Sequence, residues 1–163
     1  MLAPMGRRLG VALFFVALGG ACSEGVALES GAVEGEYDGA EFRPTFAVAL
    51  DASDEVLGTT LEIQLGDRPI DCEHHLVVGE GNPEGLYLVI RVGEPVAGVY
   101  DAYFEYESLS ADGSTQLGGF GTVEITSADE DSIAATLSFE LAEAHRPHAS
   151  ASGTIEVRRC PSE

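Results

Sequence analysis

Leu117 to Leu141 reads LGGFGTVEITSADEDSIAATLSFEL. Taken two residues at a time, it sets Leu117, Gly119, Gly121, Val123 and Ile125 on one side. After an acidic turn at Asp129 to Asp131 the pattern resumes with Ile133, Ala135, Leu137, Phe139 and Leu141. A period of two is the pleat of a strand with one buried face, whereas a helix needs apolar residues recurring every ~3.6 positions. The stretch predicts two antiparallel strands joined by a turn.

The same alternation spreads outward in both directions. Phe42, Phe46, Val48 and Leu50 fall on one side of a first strand, with Pro44 marking it as an edge or bulged strand because proline donates nothing to a ladder. Leu57, Thr59, Leu61, Ile63 and Leu65 align on a second; Leu86, Leu88, Ile90 and Val92 on a third; Tyr100, Ala102, Phe104 and Tyr106 on a fourth. Beyond Leu141, Gly153, Ile155 and Val157 form the last. Turn signals separate them at Asp51 to Glu55, Asn82-Pro83, Gly93 to Gly98 and Asp112-Gly113. Seven short strands without convincing helical periodicity predict an all-β, antiparallel β-sandwich, with a small β-barrel as the alternative. The long connection from Arg68 to Gly85 accommodates a Greek-key crossover.

The chain of 163 residues suits a leader and one domain. All 8 basic residues are arginine, against 28 acids. With Arg7 and Arg8 removed in a leader, 6 arginines face the same 28 acids, a formal charge of −22. Such a surface repels phosphates and anionic headgroups, so nucleic acid is not an expected partner and no polybasic membrane contact is available.

Met1 to Arg8 is basic, Leu9 to Leu18 (LGVALFFVAL) apolar, and Gly19-Gly20-Ala21 small before Cys22. That is the layout of a secretory signal, too short in its apolar part to span a bilayer as an ordinary helix. The ending LGGAC resembles the lipobox of bacterial lipoproteins, with Leu18 one place further from the cysteine than the usual pattern. Ordinary cleavage after Ala21 would satisfy the same small residues. The resemblance implies a signal peptide over 1–21, acylation of Cys22 and a stable membrane anchor; Ser23 is compatible with sorting to an outer membrane, facing either the periplasm or the exterior. Lipidating Cys22 leaves Cys72 and Cys160 as a disulfide pair, which suits an oxidising compartment. A bridge closing so long a loop contributes about 4 kcal/mol in the chain-entropy model. Residues 22–41, rich in Gly, Ala, Ser and Glu, read as a flexible acidic tether, and 42–163 as one all-β domain.

Gly121 to Thr126 (GTVEIT), the turn at Asp129 to Asp131, Leu137 to Leu141 and Gly153 to Cys160 together resemble a pattern found in uncharacterised bacterial lipoproteins. There a G-T-V-x-I-T strand, an acidic turn, a strand with S-F and a final G-T-x-x-V strand end in cysteine. The resemblance implies a sandwich-like fold and brings no activity.

Several residues invite a chemical reading. His74 and His75, with His145 and His148, are the candidate metal ligands, but neither pair has the spacing of a zinc motif, and solvated loop histidines are the simpler account. Asp129 to Asp131, with Asp51, Asp54 and Glu55, offer oxygen ligands to calcium but lack the EF-hand pattern, and acids at strand ends also serve solubility. Tyr103, beside Val99 on the face opposite Phe104, either lines a ligand surface or covers the sheet. A G-x-S-x-G elbow, a Walker loop and a dinucleotide fingerprint are all missing from the sequence, so no enzyme is expected and no cofactor implied. The expected function is a membrane-tethered structural or binding module with a protein or glycan partner; a divalent-cation binder and an enzyme of unrecognised type are the alternatives.

Overall fold

The computed structural model describes residues 25–54, 58–73, 84–142 and 145–161. Cys22, the leader, Glu55, Leu57, His74, His75 and the Asn82-Pro83 turn lie outside these residues.

The strands are β1 (Ser30–Tyr37), β2 (Ala40–Phe42), β3 (Phe46–Asp54), β4 (Thr59–Gly66), β5 (Gly85–Val92), β6 (Gly98–Ser110), β7 (Gly113–Ala128), β8 (Ser132–Leu141) and β9 (Ala149–Arg158). The all-β expectation holds. In place of a sandwich of seven strands, nine strands among the described residues hydrogen-bond into one antiparallel sheet, ordered β2-β1-β9-β8-β7-β6-β5-β4-β3, which curls into a half-barrel. From β3 to β9 each strand pairs with its successor, so the long connection after Arg68 returns to the neighbouring strand and no Greek-key crossover forms.

Chain connectivity requires the curl. β2 and β3 occupy opposite ends of the strand order, yet only Arg43, Pro44 and Thr45 join them. Four residue steps reach at most about 14 Å, so the sheet must roll until its two edges nearly meet. At this seam the Ala47 amide donates to Val26 O at 3.0 Å, Leu28 to Thr45 O at 3.1 Å, and Cys160 to Ala49 O at 2.7 Å.

Residues 30–41, expected as tether, instead belong to β1 and β2, the latter ending at Phe42. They make a tight hairpin in which Asp38 (φ 49°) and Gly39 (φ 81°) turn the chain between Tyr37 and Ala40. Positive φ at both central residues matches the twist of the flanking strands, and Asp-Gly is the pair best able to adopt it. The ordered domain therefore begins well before Phe42.

The alternating residues predicted for β4 to β9 line the concave side and form the main core. There Phe104 on β6 stacks on Phe139 on β8, and Phe42 meets Tyr106 edge-on with centroids 5.2 Å apart. Tyr106 donates its hydroxyl to Ser150 O at 2.7 Å, and burial raises its pKa. β3 departs from the expected facing. Its Ala47 and Ala49 enter the main core, while Phe46, Val48 and Leu50 pack on the outer side with Ile70, Tyr87, Val89 and Cys160. Cys72 and Cys160 are bridged, Cα to Cα 5.4 Å, which fastens the chain after Ile70 and the C-terminal segment over this outer cluster.

Candidate binding face

Side chains that alternate out of the core stand on the convex side of β4 to β7. Cross-strand register places Glu62, Arg91, Tyr103 and Phe120 in one row over four strands. A second row runs Gln64, Val89, Glu105, Gly118, and a third Gly66, Tyr87, Glu107, Gln116.

Arg91 is the hub of the polar half. Its Nε donates to Glu62 Oε2 at 3.0 Å and its Nη1 to Glu105 Oε2 at 2.6 Å, with all three side chains less than one-fifth exposed. Gln64 Nε2 donates to the other oxygen of Glu62 at 2.6 Å. Burial works against the guanidinium charge, but the hydrogen bonds and negative charges of Glu105 and Glu62 outweigh it and raise the Arg91 pKa. Two carboxylates around one guanidinium make a fixed, net negative assembly.

Glu107 stands beside it, 2% exposed, with Oε1 lacking a hydrogen-bond partner among the described residues. Burial, then the charge of Glu105, pushes its pKa up, and a hydrogen bond from Gln116 only partly offsets them. Across the ladder, burial and Asp67 lift the Tyr87 phenol to about 12. Glu105 and Glu107, two residues apart on one strand face, thus differ in surroundings: one is clamped by a cation, the other enclosed.

The apolar half is exposed. Phe120 is 71% accessible and Val99 68%, values uncommon for large apolar side chains within a sheet. The Phe120 ring meets Tyr103 at 5.5 Å with planes 68° apart. Tyr103 lies across β7 because position 118 is glycine, where a Cβ would fall 2.4 Å from the tyrosine hydroxyl. Tyr103 and Val99, paired by the sequence argument, share this outer face. Phe120 was missed, although its phase was visible: with Gly119 and Gly121 inward, it stands at a position where a polar residue is the norm.

The remaining sequence candidates separate. His145 occupies a turn at φ 75°. His148 places Nδ1 3.4 Å from Glu36 and Nε2 3.9 Å from Glu140. Among the described residues no group of three His, Cys, Asp or Glu is arranged to hold a metal ion. Asp51 and Asp129 do converge, but around a guanidinium: Arg159 Nη2 binds Asp51 Oδ1 at 2.6 Å and Nη1 donates to Asp129 O at 3.2 Å. Asp129 Oδ1 also accepts from the amides of Asp131 and Ser132, which lowers its pKa and closes the β7–β8 turn. An open hollow of about 460 Å³ lies over β1, β2 and β9, lined by Glu34, Glu36, Glu41, Ser150 and Ser152. Arg43 already bridges two of its acids, at 2.6 Å from Glu41 and 3.7 Å from Glu34.

No protein-family model, curated protein or solved structure matches this chain.

Proposed function

We propose that the chain is an exported lipoprotein, anchored through Cys22, whose β-domain is a binding module for a protein partner. The exposed Phe120, braced by Tyr103, is the observation that carries the reading. An exposed apolar ring held against a second ring, with charged side chains around the pair, fits an interaction surface. The two rings stand at 68° to each other, which suits the apolar anchors of a protein interface better than the flat face of a sugar. Glu62 and Glu105, with the acidic surface around them, favour a partner with a basic rim.

The test is a photo-crosslinking residue at position 120, compared with the same residue at Glu34, an exposed position on β1 three strands away. A discrete crosslinked protein at 120 and none at 34 supports the reading. Equal products or none would reject it, and mass analysis of the same membrane-extracted protein reports the acyl chains on Cys22.

A further inference from the structure

The described chain starts at Gly25 and is bonded into the fold at once. The Val26 amide donates to Ile70 O at 2.7 Å, and Val26 O accepts from Ala47. Gly25 itself is wedged so tightly that a Cβ there would lie 2.6 Å from Pro69 Cα and 2.8 Å from the Phe46 ring. Only Ser23 and Glu24 separate it from Cys22. Three residue steps span at most about 11 Å, little more than one leaflet's headgroup layer of about 5–8 Å.

From this spacing, and resting on the lipid anchor proposed above, we infer that the domain docks flush on the bilayer through its seam. The surface where Gly25 to Leu28, Thr45-Phe46 and Pro69-Ile70 meet faces the lipid headgroups. The expected flexible tether would have let the domain tumble; its residues are spent on β1 and β2 instead. Orientation follows from strand order. β7 is the middle of the nine strands, four from either edge, and the seam is where those edges meet. The outer face of β7, with Phe120, is therefore turned away from the bilayer into the compartment. Because the mature surface is strongly acidic, docking relies on the short covalent leash and a neutral headgroup layer, with no attraction to anionic lipid.

The experiment uses the acylated protein extracted from membranes and reconstituted into phosphatidylcholine vesicles carrying a nitroxide on a fraction of headgroups. A fluorophore is attached through Ala27→Cys at the seam or Glu124→Cys on β7, both exposed positions. The seam label is expected to be strongly quenched and the β7 label not. A Gly-Ser insert of about twenty residues after Ser23 should abolish that difference. Protein that fails to float with the vesicles has no anchor, and the orientation falls with it. Protein that floats but shows equal quenching at 27 and 124 overturns the docked orientation and leaves the anchor standing.

Discussion

The rings of Phe104 and Phe139 lie 5.0 Å apart and 3° from parallel, although their strands are not neighbours: β7 runs between them, and its residue at the crossing is Gly121. A Cβ at 121 would stand 3.0 Å from the Phe104 ring and 2.6 Å from the carbonyl oxygen of Ser138. The glycine run in β7 is thus a groove for two aromatic rings. Gly121→Val has to push a backbone as well as a ring, and should cost about 2–3 kcal/mol, at the upper end for overpacking. Urea unfolding, read as a midpoint shift at constant slope, measures it.

Breaking the bridge between Cys72 and Cys160 should lower stability by roughly 2–4 kcal/mol, measured by comparing unfolding of the oxidised protein with the Cys72→Ala/Cys160→Ala pair. The loss should be local in character. Amide exchange at position 160 and at Val26, whose bonds close the seam, is expected to accelerate well before that of the main core strands.

Glu107 predicts a pH dependence of definite sign. Its carboxyl holds a proton more tightly folded than unfolded. Between the ordinary carboxylate pKa and the raised one the native state binds more protons, so stability falls as pH rises through that window. Glu107→Gln should therefore stabilise the domain at neutral and mildly alkaline pH. The gain should shrink on acidification and vanish once the carboxyl is protonated in both states. Unfolding midpoints of the two proteins across pH test this; a pH-independent difference would contradict it.

Arg91→Met retains the aliphatic stem but strands Glu62 and Glu105 together in a partly buried setting. Removing one partner of such an assembly leaves uncompensated charge, and a loss of about 2–3 kcal/mol is expected, discounted from fully buried pairs because some solvent reaches all three groups. Glu62→Gln in the same background should recover part of it, and a double-mutant cycle quantifies the coupling.

Phe120→Ser should change stability by no more than ~0.5 kcal/mol, since a largely exposed ring contributes little to folding. Thermal unfolding checks that neutrality, while loss of the protein partner in pull-down tests the role assigned to the ring.

The strands from β4 to β9 were legible because each carries an unbroken phase of core residues, which make the concave core, although β5 also buries Tyr87 and Val89 on its other side. β3 misled because FAVAL is apolar in both phases, and both of its faces are covered. β1 was illegible for the opposite reason: of Ser30 to Tyr37 only Val33 is fully buried, so composition resembles a linker while backbone pairing with β9 makes it a strand. Asp38-Gly39 was the signal that would have found its hairpin. A single curled sheet and a sandwich share the same alternation, so only pairing distinguishes them. The candidate face was half visible: Tyr103 and Val99 fall on one phase, but nothing local tells that Glu107 is enclosed or that Arg91 joins two glutamates from flanking strands.

The segments on either side of the folded body both fasten to β3, Val26 to Ala47 and Cys160 to Ala49. A pull between the two ends is therefore carried across one strand and the sulfur link, while the meander from β4 to β8 is bypassed. Under tension, such a body would keep its tertiary structure as long as that short path holds.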